Sequence, residues 1–173
     1  MKGVSMISAK IADALNEQIA KEAYAASYYL SMASWCETSG LRGCTAFFYE
    51  QSEEETEHMM KLFRYVNAAG GHAIAPDVKE PPRTYKSIAQ IFELGLEHEI
   101  NVTKSINKLV ELCFGAKDYA SFNFLQWYVS EQHEEENLFR SILDLVKITG
   151  ADSRSLIFLD NEITRIRVAK EKE

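Results

Sequence analysis

Apolar residues recur at steps of three and four along most of the chain, which is the period of amphipathic α-helices. We therefore predict four long helices, over residues 6–38, 42–69, 86–115 and 118–149. A short fifth helix is predicted after Gly150, which can end the fourth helix, with Asp152 or Ser153 as the cap of the fifth.

The connections between the long helices are short, long and short. The stretches SGLRG and FGAKD separate the helices of each pair, while AAGGHAIAPDVKEPPRTY holds all three prolines and is typical of an extended connection. Four long helices joined in this way form a bundle with one crossover between the second and third helices. We predict a single all-α domain over residues 1–173.

Each apolar stripe is interrupted near its middle by polar residues. The interrupting residues are Glu22 in the first helix, Glu55 and His58 in the second, Glu99 in the third, and Gln132 and Glu135 in the fourth. If the four stripes face one core, these six side chains lie close together inside it. The two halves carry related patterns, but only the first half includes a histidine, so two metal positions built from them would be inequivalent.

Carboxylates inside a core need a cationic partner, because removing each ion from water costs several kcal/mol. The four stripes contain no Lys or Arg, so the cluster would be either protonated or neutralised by metal, and we favour metal. Oxygen-rich ligands with one imidazole suit iron or manganese. Glu55 and His58 are three residues apart and share one helix face, like the Glu-x-x-His pairs of di-iron carboxylate bundles.

Composition narrows the class of partner. The formal net charge is −7, which argues against nucleic acid and is compatible with attracting cations. Cys36, Cys44 and Cys113 have no CxxC spacing and are predicted to be reduced thiols of a cytoplasmic protein. The N-terminal MKGVSMISAK lacks the apolar run of a signal peptide, and no apolar run has the length of a membrane span.

The chain resembles the bacterial non-haem ferritins over essentially its whole length. The motifs that carry the resemblance are LNEQIAKEAY, EEETEHM, LEHE and FNFLQWYVSEQHEEE, together with the short C-terminal helix. The resemblance implies a ferritin-like bundle with a first iron site of Glu22, Glu55 and His58. It implies a second site of Glu99 and Glu135, with Glu55 bridging the two irons and Gln132 nearby.

The resemblance also implies a third iron site, formed by Glu54, Glu131, Glu134 and Glu135. Helical spacing permits it, because Glu131, Glu134 and Glu135 fall on one face of their helix. Tyr29 matches the family's tyrosine beside the di-iron centre, a candidate electron donor, although a packed core aromatic is an equal alternative. The same two alternatives stay open for Trp127.

The function implied by the resemblance is iron storage with ferroxidase activity. Fe(II) would be oxidised to Fe(III) by O2 or H2O2, and mineral would collect inside a hollow 24-subunit shell of octahedral symmetry. The fifth helix is expected to line the fourfold axes through an apolar surface of Leu156, Ile157, Leu159 and Ile163.

Some residues of this chain differ from those that related families have at the matching positions. Haem is not expected, because Thr56 stands where bacterioferritins have a haem-ligating Met and the fourth helix has Gln132-x-x-Glu135 in place of a second Glu-x-x-His. The missing second Glu-x-x-His also distinguishes the chain from the rubrerythrins. Phe122 and Leu125 occupy the positions at which animal ferritins place acidic channel residues, so the sequence does not identify the route by which iron enters.

Three alternatives remain open from the sequence. The first is a di-iron oxygenase or peroxidase acting on an organic substrate. The second is a non-enzymatic helical scaffold with solvated glutamates, since a lone Glu-x-x-His is commonly a surface accident and most acidic runs are solvated faces. The third is a 12-subunit mini-ferritin, which usually lacks the fifth helix. His133 and Glu136 are predicted to be surface or subunit-contact residues.

Overall fold

The computed structural model describes residues 5–150 and 153–170, and within α5 it describes the side chains of residues 155–166. The helices are α1 (Ala9–Thr38), α2 (Arg42–Ala68), α3 (Ile88–Gly115), α4 (Tyr119–Thr149) and α5 (Ser153–Lys170). The predicted all-α bundle is therefore confirmed, with short α1–α2 and α3–α4 turns and one long crossover. Among the described helices, none combines the length and apolar content needed to cross a membrane.

Local capping sets the helix starts, and those of α1, α3 and α4 lie one to three residues later than predicted. Ser8 Oγ accepts a hydrogen bond from the Ile11 amide at 3.2 Å, so α1 begins at Ala9 and not at residue 6. Ser87 caps α3 in the same way, which moves its start from 86 to Ile88. The predicted cap Asp152 lies outside the described residues, as does the side chain of Ser153.

The helices pack mainly as two pairs, α1 with α2 and α3 with α4, and α1 also meets α3. The α3–α4 approach is close at Gly95, where a Cβ atom would lie 2.3 Å from Cε1 of Phe139. A glycine at this position thus lets the aromatic ring of α4 rest on the α3 backbone. Residue 95 is one turn before Glu99, so the contact also fixes how closely that carboxylate approaches α4.

The fifth helix packs against α2 and α4. Leu159 and Ile163 are 1% and 0% exposed and belong to the core of the bundle. The expectation that they form part of an outward apolar surface is therefore wrong, because they cover the bundle's own aromatic core. Ile157 and Phe158 are 67% and 50% exposed and form the outward apolar part of α5.

Two apolar clusters fill the two ends of the bundle. One cluster contains the aromatic residues Phe47, Phe48, Phe92 and Phe139, and the other contains aliphatic residues such as Leu15, Leu62 and Ile106. A layer of buried polar side chains lies between them along the helices: Gln18, Glu22, Gln51, Glu55, His58, Glu99, Gln132 and Glu135. The fold thus encloses a polar layer between two apolar clusters.

Candidate metal centre

The tightest group of metal-ligating side chains joins α1 to α2. Glu22, Glu55 and His58 each place one ligand atom within 4.8 Å of the others, and all three residues are buried. Glu55 and His58 come together because residues three apart share a helix face, and His58 Nδ1 lies 3.5 Å from Glu55 Oε2. Two carboxylates and one imidazole at this spacing can hold one iron or manganese ion.

Glu99 and Glu135 reach the same polar layer from α3 and α4, and they are 0% and 1% exposed. The Tyr29 hydroxyl donates a hydrogen bond to Glu99 Oε1. Gln132 Nε2 donates to Glu99 Oε2 at 3.0 Å, and Gln51 Nε2 donates to Glu135 Oε2 at 2.9 Å. These two carboxylates are therefore oriented by neutral donors.

Two carboxyl groups of the polar layer, those of Glu55 and Glu99, have raised pKa values. Burial is the main reason that the pKa of Glu55 lies well above its usual range, and the charges of Glu99, Glu22 and Glu135 add to it. Burial and the charge of Glu135 also raise the pKa of Glu99 to about 8, although hydrogen bonds from Tyr29 and Gln132 oppose the rise. A metal-free centre thus retains protons at neutral pH.

One buried oxygen atom indicates what the centre requires. Glu22 Oε1 accepts a hydrogen bond from Gln18 Nε2 at 2.8 Å. Glu22 Oε2 has no donor among the described side chains unless Glu55 carries a proton. A buried carboxylate oxygen without a partner is costly, and either a proton or a metal ion would satisfy it. The residues present therefore fit a divalent cation.

Two of the residues predicted for a third site, Glu54 and Glu131, lie beside His58. Glu131 Oε2 is 4.0 Å from His58 Nε2, and the Glu131 side chain is 23% exposed. Glu54 is half-buried and Glu134 is exposed. Glu54 and Glu131 line a cavity of about 660 Å³ that also includes Trp127. Within residues 5–150 and 155–166, these three glutamates do not join the tight group formed by Glu22, Glu55 and His58.

Comparison with known proteins places this geometry in a family. The ferritin-like domain profile matches residues 12–149. A bacterial non-heme ferritin of Campylobacter jejuni is 47% identical over 96% of this chain and 100% of its own length. The bacterial non-heme ferritin of Escherichia coli O6:H1 is 37% identical over 93% of this chain and 98% of its own length.

The chain belongs to the ferritin family. The function of this family, and of this chain, is iron storage. Among solved structures, an open pore ferritin of the archaeon Archaeoglobus fulgidus superposes with a TM-score of 0.90. It is 45% identical, and the alignment covers 93% of this chain and 98% of that one.

The two aromatic residues with open roles are both close to the polar layer of this ferritin. Tyr29 is fully buried, and its ring stacks against Phe48 and Phe139 at centroid distances of 5.9 and 5.8 Å. Burial and the charge of Glu99 raise the pKa of Tyr29 well above its usual range. Trp127 meets His58 edge-on at 5.2 Å, and Lys61 Nζ lies 3.6 Å from the Trp127 ring centroid.

Three residues of the site environment were missed from the sequence. Gln18 and Gln51 each lie four residues before a glutamate of the tight group, so their amides fall on the same helix face. That spacing is the signal that could have found them. The sequence held no such signal for His98, because the aromatic rings that surround it belong to another helix, α1. It lies among tyrosine rings, and burial lowers its pKa to about 4.

The two residues predicted to turn away from the site behave differently from each other. His133 is exposed, and its Nδ1 lies 2.9 Å from Asn137 Nδ2. Glu136 is half-buried and accepts hydrogen bonds from Thr103 at 2.7 Å and from Arg140 at 2.6 Å. Glu136 therefore joins α3 to α4.

Proposed function

We propose that this ferritin is a ferroxidase that oxidises Fe(II) at a dinuclear site inside each subunit. The observation that carries the proposal is the buried group of Glu22, Glu55 and His58 next to the buried Glu99 and Glu135. A storage protein without oxidation chemistry would have no need of five metal-ligating side chains in a core, where each carboxylate reduces stability.

In this proposal the first Fe(II) is held by Glu22, Glu55 and His58, and the second by Glu55, Glu99 and Glu135. The shared Glu55 holds the two ions close enough for one oxidant molecule to take an electron from each. With hydrogen peroxide, two Fe(II) and two protons give two Fe(III) and two water molecules. Oxygen ligands favour the harder ferric product. Gln132 positions Glu99, since its amide donates to that carboxylate.

We assign a third iron site to Glu54, Glu131, Glu134 and Glu135. Glu131 approaches the ring nitrogen of His58 that faces away from Glu55. Hydrated iron would bind in the cavity that Glu54 and Glu131 line, beside the dinuclear site. Iron held there would supply a further electron or pass on to the mineral.

Storage requires a closed space, and one bundle encloses none. We propose a homo-24-mer of octahedral symmetry, in which the exposed Ile157 and Phe158 of α5 contact neighbouring copies. The related archaeal protein is described as having an open pore, and a closed form of it was engineered by mutagenesis. Electron microscopy of the assembled protein distinguishes the two shell forms. The free, buried Cys36, Cys44 and Cys113 support a cytoplasmic location for this shell.

The ferroxidase proposal is tested by stopped-flow oxidation of Fe(II) under O2 and under H2O2. Glu55→Ala and His58→Ala are compared with Glu53→Ala, an exposed glutamate of the same helix. We expect the rapid ferric absorbance to be lost in the first two variants and kept in the third, with assembly intact in all. Equal rates in all four proteins would leave only a scaffold role for the cluster. Oxidation without retained mineral would favour an oxygenase or peroxidase.

A further inference from the structure

Tyr29 is one end of a group of aromatic rings that leads away from the polar layer. The group consists of Tyr24, Tyr28, Tyr29 and His98, and we call it the tyrosine relay. Tyr28 lies beside Tyr29 with ring centroids 6.1 Å apart. Tyr24 stacks on Tyr28 at 5.7 Å with the ring planes only 17° apart. Tyr24 and Tyr29 are thus joined by direct ring contacts.

His98 provides a second connection between the same two tyrosines. Its ring lies 5.9 Å from Tyr29, 5.5 Å from Tyr28 and 6.2 Å from Tyr24. Its Nε2 atom is buried and, among the described residues, has no hydrogen-bond partner. The imidazole is therefore held by ring packing. Both connections consist of π systems in contact, which are favourable bridges for electron tunnelling.

The two ends of the relay differ in environment. Tyr29 is fully buried and donates its hydroxyl hydrogen to Glu99. Tyr24 is half-buried and lines a surface pocket of about 500 Å³ with His98, Lys21, Asp77 and Lys79. Lys21, Asp77 and Lys79 are exposed, so this pocket opens to solvent. The relay therefore runs from a proposed iron ligand to the surface.

We propose that the tyrosine relay carries electrons from a small soluble one-electron reductant at the Tyr24 pocket to an oxidised Tyr29. The proposal rests on the ferroxidase function above. Two exposed lysines against one aspartate favour a reductant with one negative charge, for which ascorbate is the probe. The other rings packed on Tyr29 are Phe48 and Phe139, which lack an oxidisable hydroxyl. Among the described residues, Tyr28 is therefore the only tyrosine whose ring contacts Tyr29.

The electrons and protons balance as follows. Reduction of O2 to two water molecules takes four electrons and four protons. The protons come from solvent water, and three Fe(II) ions leave one electron to be supplied by Tyr29. Tyr29 loses that electron, and its hydroxyl proton passes to Glu99, which accepts its hydrogen bond. Tyr24 then gives an electron to Tyr29 through either Tyr28 or His98, and Tyr24 releases its own proton to water. Tyr29 recovers its proton from Glu99, and the ascorbate monoanion reduces Tyr24 by donating one electron and one proton.

The test is rapid freeze-quench electron paramagnetic resonance of the assembled protein, with three Fe(II) per subunit under O2. We expect a tyrosyl radical in the wild type that added ascorbate removes quickly. Tyr24→Phe keeps the ring and deletes the hydroxyl, so the fast ascorbate-dependent phase should be lost. Tyr24→Trp restores an oxidisable ring and should restore the phase. Tyr65→Phe, in the other apolar cluster, is the matched control and should retain it.

Several outcomes separate this proposal from the one on which it rests. Absence of rapid Fe(II) oxidation in the wild type contradicts the ferroxidase itself. Oxidation without any tyrosyl radical contradicts the relay alone. An ascorbate response that is equally fast in Tyr24→Phe also overturns the relay, because the electron would then enter elsewhere. The double variant Tyr28→Leu with His98→Leu interrupts both ring connections, and a response of wild-type speed in it would likewise refute the path.

Discussion

Gln51 Nε2 donates a hydrogen bond to Glu135 Oε2 at 2.9 Å, linking the second helix to the fourth through two fully buried side chains. The bond orients the Glu135 carboxylate within the polar layer. Within the first helix, Gln18 Nε2 donates a hydrogen bond to Glu22 Oε1 at 2.8 Å. The carboxylates are thus held by uncharged donors that do not compete with a cation.

The glutamine donors predict a measurable loss of metal affinity. In Gln51→Leu, Glu135 loses its orienting donor, and we expect binding at the second metal position to weaken by roughly 10–100-fold, as for other outer-shell partners. Anaerobic titration with Co(II), followed by its visible absorbance, measures the two positions separately. Gln126→Leu, a half-buried glutamine of α4 that donates to the Phe122 carbonyl, is the control. Equal affinities in both variants would contradict an orienting role.

The raised carboxyl pKa values predict how stability depends on pH in the metal-free protein. The pKa of Glu99 is about 8 in the folded chain, against 4.5 for a glutamate in water, and the pKa of Glu55 is raised as well. Between these pH values the folded chain keeps protons that the unfolded chain loses, so the free energy of unfolding must fall as pH rises. Urea denaturation at a series of pH values measures the slope. Glu99→Gln should flatten it, whereas Glu53→Gln should not.

The same protons predict the stoichiometry of metal binding. A cation that binds at the carboxylates must displace the protons they carry, so anaerobic Fe(II) binding should release more protons at pH 6.5 than at pH 9. A pH-stat titration measures this release. In Glu55→Gln the release should fall, and the metal-free variant should be more stable by about 0.5–2 kcal/mol, because one acid leaves a buried cluster. A release independent of pH would mean that the centre is already ionised.

Helical periodicity was sufficient to predict six residues of the polar layer, although Gln18 and Gln51 were missed. Glu22, Glu55, His58, Glu99, Gln132 and Glu135 interrupt four apolar stripes, and all six are buried together. The sequence could not predict the partners that come from other helices, such as Tyr29 with Glu99 or His98 with the tyrosine rings. Those contacts depend on the rotation and offset between helices, which a periodic pattern leaves free.

The error at α5 has the same physical origin. Leu159 and Ile163 look like an outward surface when α5 is considered alone, because a short amphipathic helix has one apolar face whatever covers it. In the bundle that face packs on the aromatic cluster, and Ile157 and Phe158 point outward. Which side of a helix meets its own subunit is decided by docking.

Two glycines of α3 form a matched pair for testing the close approach of α3 to α4. Gly95→Ala places a Cβ atom against the Phe139 ring, and we expect a loss of about 1–3 kcal/mol in unfolding free energy. Gly115→Ala meets nothing within 4 Å and should stabilise by about 0.4–1 kcal/mol, because the unfolded chain loses freedom. Denaturant unfolding compares the two. Similar changes in both would refute the packing explanation.

Asp160 attaches α5 to the start of α2. Its carboxylate accepts hydrogen bonds from the Gly43 amide at 2.9 Å and the Cys44 amide at 2.8 Å, so α5 supplies the N-terminal cap that α2 lacks in its own sequence. Asp160→Ala should cost about 0.5–2 kcal/mol, as the loss of a cap does. Native mass spectrometry after mild urea treatment should then reveal smaller assemblies. Asn161→Ala, its exposed neighbour, should assemble normally, and identical behaviour of the two variants would contradict this attachment.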